Sequence, residues 1–325
     1  MKFPTISKKH FAGLMICLSA SSMSLAETAK SMTWTTLGTQ DGPNIRVDRS
    51  QPANTLTFDK HTWLVDCGEG ALSRLSATQK QPVQVDRVFL SHIHFDHIGD
   101  LSALIGIRWM QGVRRELTVY GPPGTDTVVE GIVASLNGAI ALKIEENQQK
   151  VTMKNAGVKV IILKSDSDIT VDGVRVRGVA NTHYHGDGLH QGQVPESLSY
   201  RFDYKGYSIG FTGDTGVSPA VETLFSGVNL MVSEVIDLKS MTKLVKGPHS
   251  PVPVAQRDTL IEHFRTHHLT AEEAGRMAQN ANAQELVFTH ISTPFKTDDV
   301  AADLKSQAES TFKGSVFVAH DLDQF

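Results

Sequence analysis

Apolar and polar positions fall into short alternating or continuous runs along most of the chain. Such runs occupy Thr33 to Leu37, Thr62 to Asp66, Arg87 to Ser91, Leu117 to Tyr120, Val158 to Leu163 and Val174 to Val179. Further runs are Ser197 to Tyr204, Tyr207 to Thr212, Leu230 to Glu234, Glu285 to Thr289 and Ser315 to Ala319. Many are rich in Val, Ile, Thr and aromatics and lie between Gly- or Asp-containing turns, a pattern that predicts strands. Lys205-Gly206 predicts a tight hairpin.

Helical spacing is confined to fewer segments. Asp100 to Met110 is apolar at that spacing, and Thr125 is placed to cap a helix from Asp126 to Leu136 after the turn Gly121-Pro122-Pro123-Gly124. Thr270-Ala271-Glu272-Glu273 carries the Thr and Glu of a capping box, and Thr297 to Phe312 predicts the last helix. The stretch Lys239 to His268, broken by Gly247-Pro248 and Pro251-Val252-Pro253, reads as a long loop of the kind that often carries function. No Pro/Gly/Ser-rich linker divides the chain. The expected architecture is therefore one α/β domain over residues 27–325, two packed sheets with helices outside.

Residues 1–26 stand apart. Lys2, Lys8 and Lys9 precede the apolar stretch Phe11 to Leu18, and Ser24-Leu25-Ala26 forms a small-x-small site with no acid before it. That layout predicts a cleavable secretory signal, hence a periplasmic or secreted protein without a membrane anchor. Cleavage after Ala26 removes three of the 31 basic residues and none of the 35 acidic ones, moving the net charge from −4 to −7. So acidic a chain has no global attraction for a polyanion. Of the two cysteines only Cys67 remains, so stability must come from core packing or metal rather than from disulfides. Composition, at 40% hydrophobic and 20% charged residues, is that of a globular protein.

The densest chemistry follows the run Arg87 to Ser91. His92-Ile93-His94-Phe95-Asp96-His97 places four metal-capable side chains in six residues, before Ile98-Gly99-Asp100. A tight turn after a buried strand can aim His92 and His94 at one ion and Asp96 and His97 at a second. Imidazole and carboxylate suit zinc, and iron or manganese could also fit.

With this H-x-H-x-D-H motif the chain resembles the metallo-β-lactamase superfamily. Leu64-Val65-Asp66-Cys67-Gly68-Glu69-Gly70 is similar to the strand and turn before the metal loop. Asn181-Thr182-His183, Phe211-Thr212-Gly213-Asp214-Thr215-Gly216 and Leu286-Val287-Phe288-Thr289-His290 resemble three later strand ends. The resemblance implies the αββα fold and two Zn2+ ions, other divalent metals being admissible. It implies His183 as third ligand of the first metal, with His185 and His190 as rivals. Asp214 is implied as the bridge between the metals and His290 as the residue completing the second. Asp66 is implied to hold a ligand histidine through its other ring nitrogen, and Cys67 is read as a small core residue.

Two bridged ions sharing an acidified water imply hydrolysis of an electrophilic ester or amide. The redox di-iron branch resembles H-x-E-x-D-H, and His94 stands where its Glu would be. Val232-Ser233-Glu234-Val235 and His268-Leu269-Thr270 look like degenerate versions of two motifs of the RNase Z-like branch. They imply that Glu234 orients His268 as donor of a proton to the leaving oxygen, with His267 as the adjacent rival. The signal segment, Asn181-Thr182-His183-Tyr184 and Ser199-Tyr200-Arg201-Phe202 look most like the exported arylsulfatase branch. The expectation is thus a hydrolase of small aryl sulfate esters acting on no nucleic acid, with a homodimer left open. Against precursor tRNA stand the acidity, the export signal and the short span from Tyr184 to Gly213, which leaves no room for a long RNA-binding arm. Phe95, Tyr184 and Trp109 are candidates for an aromatic pocket. A phosphodiesterase of RNase Z-like type is the alternative, followed by a lactonase or β-lactamase. A catalytically silent zinc-binding module ranks last.

Overall fold

Two mixed sheets face each other in the computed structural model, which describes Met1 and residues 30–113, 115–142, 150–184 and 196–325. The first sheet runs, in spatial order, β1 (Thr33–Gly38), β2 (Ala53–Phe58), β3 (His61–Cys67), β4 (Arg87–Phe89), β5 (Leu117–Gly121) and β6 (Val158–Ile162). Strands β1 to β3 pair antiparallel and β3 to β6 parallel. The second contains β7 (Asp168–Val171), β8 (Val174–Ala180), β9 (Leu198–Tyr204), β10 (Tyr207–Phe211), β11 (Leu230–Ile236), β12 (Glu285–Ser292) and β13 (Ser315–Val318). Its first four strands form an antiparallel meander and the rest pair parallel. The Lys205-Gly206 hairpin joins β9 to β10, both turn residues lying at positive φ.

Inward-facing aromatics close the sandwich. Trp34, Trp63 and Phe89 of the first sheet pack with Tyr200, Phe202 and Phe211 of the second, all buried. Trp63 and Phe89 approach to 5.2 Å between ring centroids, Trp34 and Phe211 to 5.4 Å. Truncating either tryptophan to Ala would cost about 3–5 kcal/mol.

Helices cover the outer faces, as the αββα expectation requires. Against the first sheet lie α1 (Ala71–Ala77), α3 (Leu101–Met110) and α4 (Thr125–Ser135), through Leu75, Leu104, Ile105 and Val129, while the one-turn α2 (Phe95–Ile98) carries Asp96 and His97 of the metal-capable run. Against the second lie α5 (Pro219–Leu224), α8 (Ala271–Asn280) and α9 (Thr297–Glu309), through Val221, Met277, Val300 and Leu304. The capping box at Thr270 forms, its Oγ1 accepting from Glu273 N while Glu273 accepts from Thr270 N.

Several expectations are corrected. Gly124, in the left-handed region, caps α4 in place of Thr125, whose hydroxyl donates instead to Pro122 O. Lys239 to His268 is mostly helical, comprising α6 (Leu238–Lys246) and α7 (Arg257–His267). Their boundary falls at the proline-rich break, where proline cannot continue a helix. Residues 2–26 of the expected signal segment lie outside the described residues.

Candidate metal centre

The parallel pairing of β3 with β4 and β10 with β11 points several strand C-termini to one edge of the sandwich, where a site forms naturally. Asp66 lies near the end of β3, the His92 run follows β4, and His183 follows β8. Asp214 follows β10, while Glu234 and His290 lie within β11 and β12. Between the pairs Ser233–Phe288 and Val235–Ile291, β11 contributes one residue, Glu234, and β12 two, Thr289 and His290. This bulge, with His290 at φ 44°, turns its imidazole out of the ladder and toward the site.

All seven candidate ligands converge. The ligand atoms of His92, His94 and His183 form one group, and those of Asp96, His97 and His290 another. Asp214 lies between them. Its Oδ2 is 3.9 Å from His92 Nε2, 4.0 Å from His183 Nε2 and 3.1 Å from His290 Nε2, and its Oδ1 is 3.4 Å from His97 Nε2. His97 Nε2 is also 3.4 Å from Asp96 Oδ2. The rival ligands His185 and His190 lie outside the described residues.

Whether these residues fit ions is decided by atoms left without partners. His97 Nε2, Asp214 Oδ1 and His290 Nε2 are buried and make no hydrogen bond. Buried polar atoms are rarely left so. All three point into the shared space, and the donor set of imidazoles and carboxylates is the one zinc prefers. The residues fit a pair of divalent cations.

Neighbouring groups orient the rings. Asp66, in the left-handed region at φ 58°, accepts from Ser91 N and from the Ser91 hydroxyl, and its Oδ2 holds His97 Nδ1 at 2.8 Å. The Ser91 hydroxyl also contacts His92 Nδ1 at 3.0 Å. Each bond occupies Nδ1 and leaves Nε2 for the centre. Cys67 is fully buried in the core behind them, and burial pushes its thiol well up.

Protonation follows from burial and charge. Burial pushes His92 and His183 well below the usual imidazole range, so both imidazoles are neutral. At His97 burial acts the same way, yet the Asp214, Asp96 and Asp66 carboxylates overcome it and raise the imidazole to about 10. Asp96 is held at about 2, His97 and His290 together outweighing its burial, and Asp214 lies well below the usual carboxylate range beside His290 and His97. Without ions, protons on His97 and His290 balance the carboxylates.

On the open side, a cavity of about 390 Å³ is walled by Pro43, Phe95, Leu260 and Phe264, with Asp41, His263 and His268 also on its surface. His268 Nδ1 meets Glu234 Oε2 at 2.7 Å, and Glu234 Oε1 accepts from Thr215 N at 2.6 Å. Burial lowers His268, but Glu234 raises it further, leaving it above the ordinary imidazole range. The expected Glu234–His268 pair is therefore present beside the centre. Phe95 is 75% exposed on the cavity rim, and the Tyr184 ring lies 5.0 Å from that of His183. Trp109 packs against the outer helical layer instead. Asp41 and His263 were missed by sequence reasoning. His263 carries one local signal, its i,i+4 spacing to His267 on α7, whereas nothing near Asp41 marks it.

A family profile described as "Beta-lactamase superfamily domain" matches residues 61–291. Ribonuclease Z of Bacillus subtilis (strain 168) is 27% identical over 290 aligned residues, covering 81% of this chain and 88% of that protein. Among solved structures, the metallo-β-lactamase fold protein YhfI from Bacillus subtilis superposes with a TM-score of 0.65 at 20% identity, over 90% of this chain and 98% of that one. The short form of human tRNase Z gives a TM-score of 0.60 at 20% identity, over 90% and 98%. At these identities the two structures speak for the fold alone.

The ribonuclease relatives, not the superposed structures, overturn two expectations. Neither an aryl sulfate nor another small-molecule ester is the substrate they point to, and the exclusion of nucleic acid falls with it. The physical reason is that net charge and the short span from Tyr184 to Gly213 speak against one way of gripping RNA. They say nothing about which bond a centre cleaves.

Proposed function

Because the chain belongs to the β-lactamase superfamily of metal-dependent hydrolases, we propose that it is a binuclear-zinc phosphodiesterase that hydrolyses RNA. His92, His94 and His183 would hold one ion, Asp96, His97 and His290 the other, and Asp214 both. Bound there, the ions would polarise the phosphoryl group and acidify the attacking water.

The carrying observation is the Glu234–His268 pair. A ribose alkoxide is a poor leaving group, so breaking its bond to phosphorus calls for a proton at the leaving oxygen. His268 is on the cavity surface with Nδ1 committed to Glu234, which leaves Nε2 to give that proton. Glu234, itself fixed by Thr215 N, holds the ring in one orientation and stabilises its charged form. Asp96 also lines the cavity, where its carboxylate would accept the proton of an incoming water. The walls of Phe95, Leu260 and Phe264 suit the flat face of a nucleobase beside the scissile phosphate. The ribonuclease relatives support the same substrate class.

The test is cleavage of a single-stranded RNA oligonucleotide and of its fully deoxy counterpart by zinc-loaded protein, followed by chelation. RNA should be cut, and chelation should abolish cutting. His290→Ala should lose mainly one ion and Asp214→Ala should disturb both. Zinc-loaded protein that leaves RNA intact would refute the substrate reading.

A further inference from the structure

A second group of metal-capable side chains lies at the far end of the sandwich. His61 opens β3, Asp86 precedes β4, and Asp172 sits in the turn that leads into β8. The same three strands lead to the candidate centre at their other ends. The seven residues of β3 alone separate the two ends by about 20 Å.

The spacing is that of coordination rather than hydrogen bonding. His61 Nδ1 lies 3.5 Å from Asp86 Oδ2 and 3.7 Å from Asp172 Oδ2. Hydrogen bonds to an imidazole nitrogen close to about 2.7–3.2 Å. A tetrahedron with metal–ligand bonds of about 2.1 Å has edges of about 3.4 Å. The candidate catalytic centre shows the same gap, 3.4 Å from His97 Nε2 to each of two carboxylates.

Unpartnered atoms make the second observation. His61 Nδ1, the atom aimed at both carboxylates, is buried and makes no hydrogen bond. Asp86 is only 5% exposed, and its Oδ1 is likewise without a partner. A cleft of about 690 Å³, lined by His61, Thr62, Gln84 and Arg115, opens beside His61.

Two guanidinium groups compete for the same carboxylates. Arg87 Nη2 is 3.2 Å from Asp172 Oδ2, and Arg115 Nη1 is 3.7 Å from Asp86 Oδ2. They balance the charge when no ion is bound. The Arg115 side chain is 52% exposed, and its Nη2 donates to the carbonyls of Val83 and Gln84 at 3.0 and 2.8 Å.

We propose that His61, Asp86 and Asp172 form a further divalent-cation site, suited to zinc, with water as the fourth ligand. The ion would tie β3 and β4 of one sheet to the β7–β8 turn of the other. The site is independent of the catalytic reading and of how many ions the catalytic centre holds.

Zinc titration of the stripped full chain, read by native mass spectrometry, tests it. Asp172→Asn and His61→Ala should each bind one ion fewer than wild type while RNA cleavage is unchanged. Asp172 lies at φ 48°, where Asn is well tolerated, so that variant should fold. Arg115→Gln, which removes a competing cation, should tighten the additional ion severalfold. Equal ion counts in wild type and both variants would overturn the site. Weaker binding in Arg115→Gln would overturn it too, since the carboxylates would then depend on the guanidinium rather than on an ion.

Discussion

The backbone carbonyl of His267 accepts from Nδ1 of His183 at 3.1 Å. That bond fixes the tautomer of a candidate ligand, leaving Nε2 bare toward His94 and Asp214. It comes from the residue next to His268, so the end of α7 sets both a candidate ligand and the proposed proton donor. Because a carbonyl makes the bond, the His267 side chain is not needed for it. His267→Ala should keep the wild-type ion count and cleave RNA within about threefold of wild type, with some loss of stability from its buried position. Metal analysis and turnover of the variant check this. Loss of an ion would show that the ring itself holds the site.

Metal binding should be strongly linked to protons. His97 is raised to about 10 by its carboxylate neighbours, so the metal-free protein holds that proton through neutral pH, and an ion must displace it. Zinc affinity at the Asp96, His97 and His290 group should therefore climb about tenfold per pH unit for each proton displaced, about 100-fold where His97 and His290 both give one up, between pH 6 and 9, read by competition with a chromophoric chelator. The sign for stability is opposite in the metal-free protein. A histidine raised in the folded state stabilises it fully below about pH 6.5, and the contribution fades as pH rises toward 10. Affinity that stays flat over this range would contradict the linkage.

The six-residue run from His92 was legible because one turn fixes the mutual positions of its side chains. Its remote partners were legible only through resemblance, since Asp214 and His290 meet it by sheet topology alone. The α6–α7 region was misread for a physical reason. Leu260 and Phe264 face the cavity rather than a core, and α7 has a single fully buried residue, His267, so no core-facing stripe marks the helix. Strand β2 escaped notice because its buried positions include polar Asn54 and Thr55, one on each face. Asn54 is satisfied there, accepting from Trp34 Nε1 at 3.1 Å and donating to Val65 O at 3.3 Å. Such pairings are invisible along the chain.

Export is a separate proposal, resting on Lys2, Lys8, Lys9, the apolar stretch Phe11 to Leu18 and Ser24-Leu25-Ala26. The protein recovered from the periplasm or medium should begin at Glu27. N-terminal sequencing checks it, and a soluble cytoplasmic product that retains Met1 would refute it. An exported enzyme would meet RNA outside the cytoplasm, so the outcome also bears on which RNA it cuts.

The proton donor can be separated from the rest of the centre by varying the leaving group. Aryl esters of a nucleotide keep the phosphodiester and change only the acidity of the departing phenol. If His268 gives the proton, its loss matters most where the departing anion is unstable. His268→Ala should slow a phenyl ester at least about 100-fold and a nitrophenyl ester less than about tenfold, with the ion count retained. Glu234→Gln should give a weaker version of the same split, because the ring remains but loses the carboxylate that holds and charges it. The alkaline limb of the pH profile should also move to lower pH in Glu234→Gln, since Glu234 is the group that raises His268. Equal slowing of both esters in His268→Ala would mean that the ring positions substrate or metal, and the general-acid role would have to be abandoned.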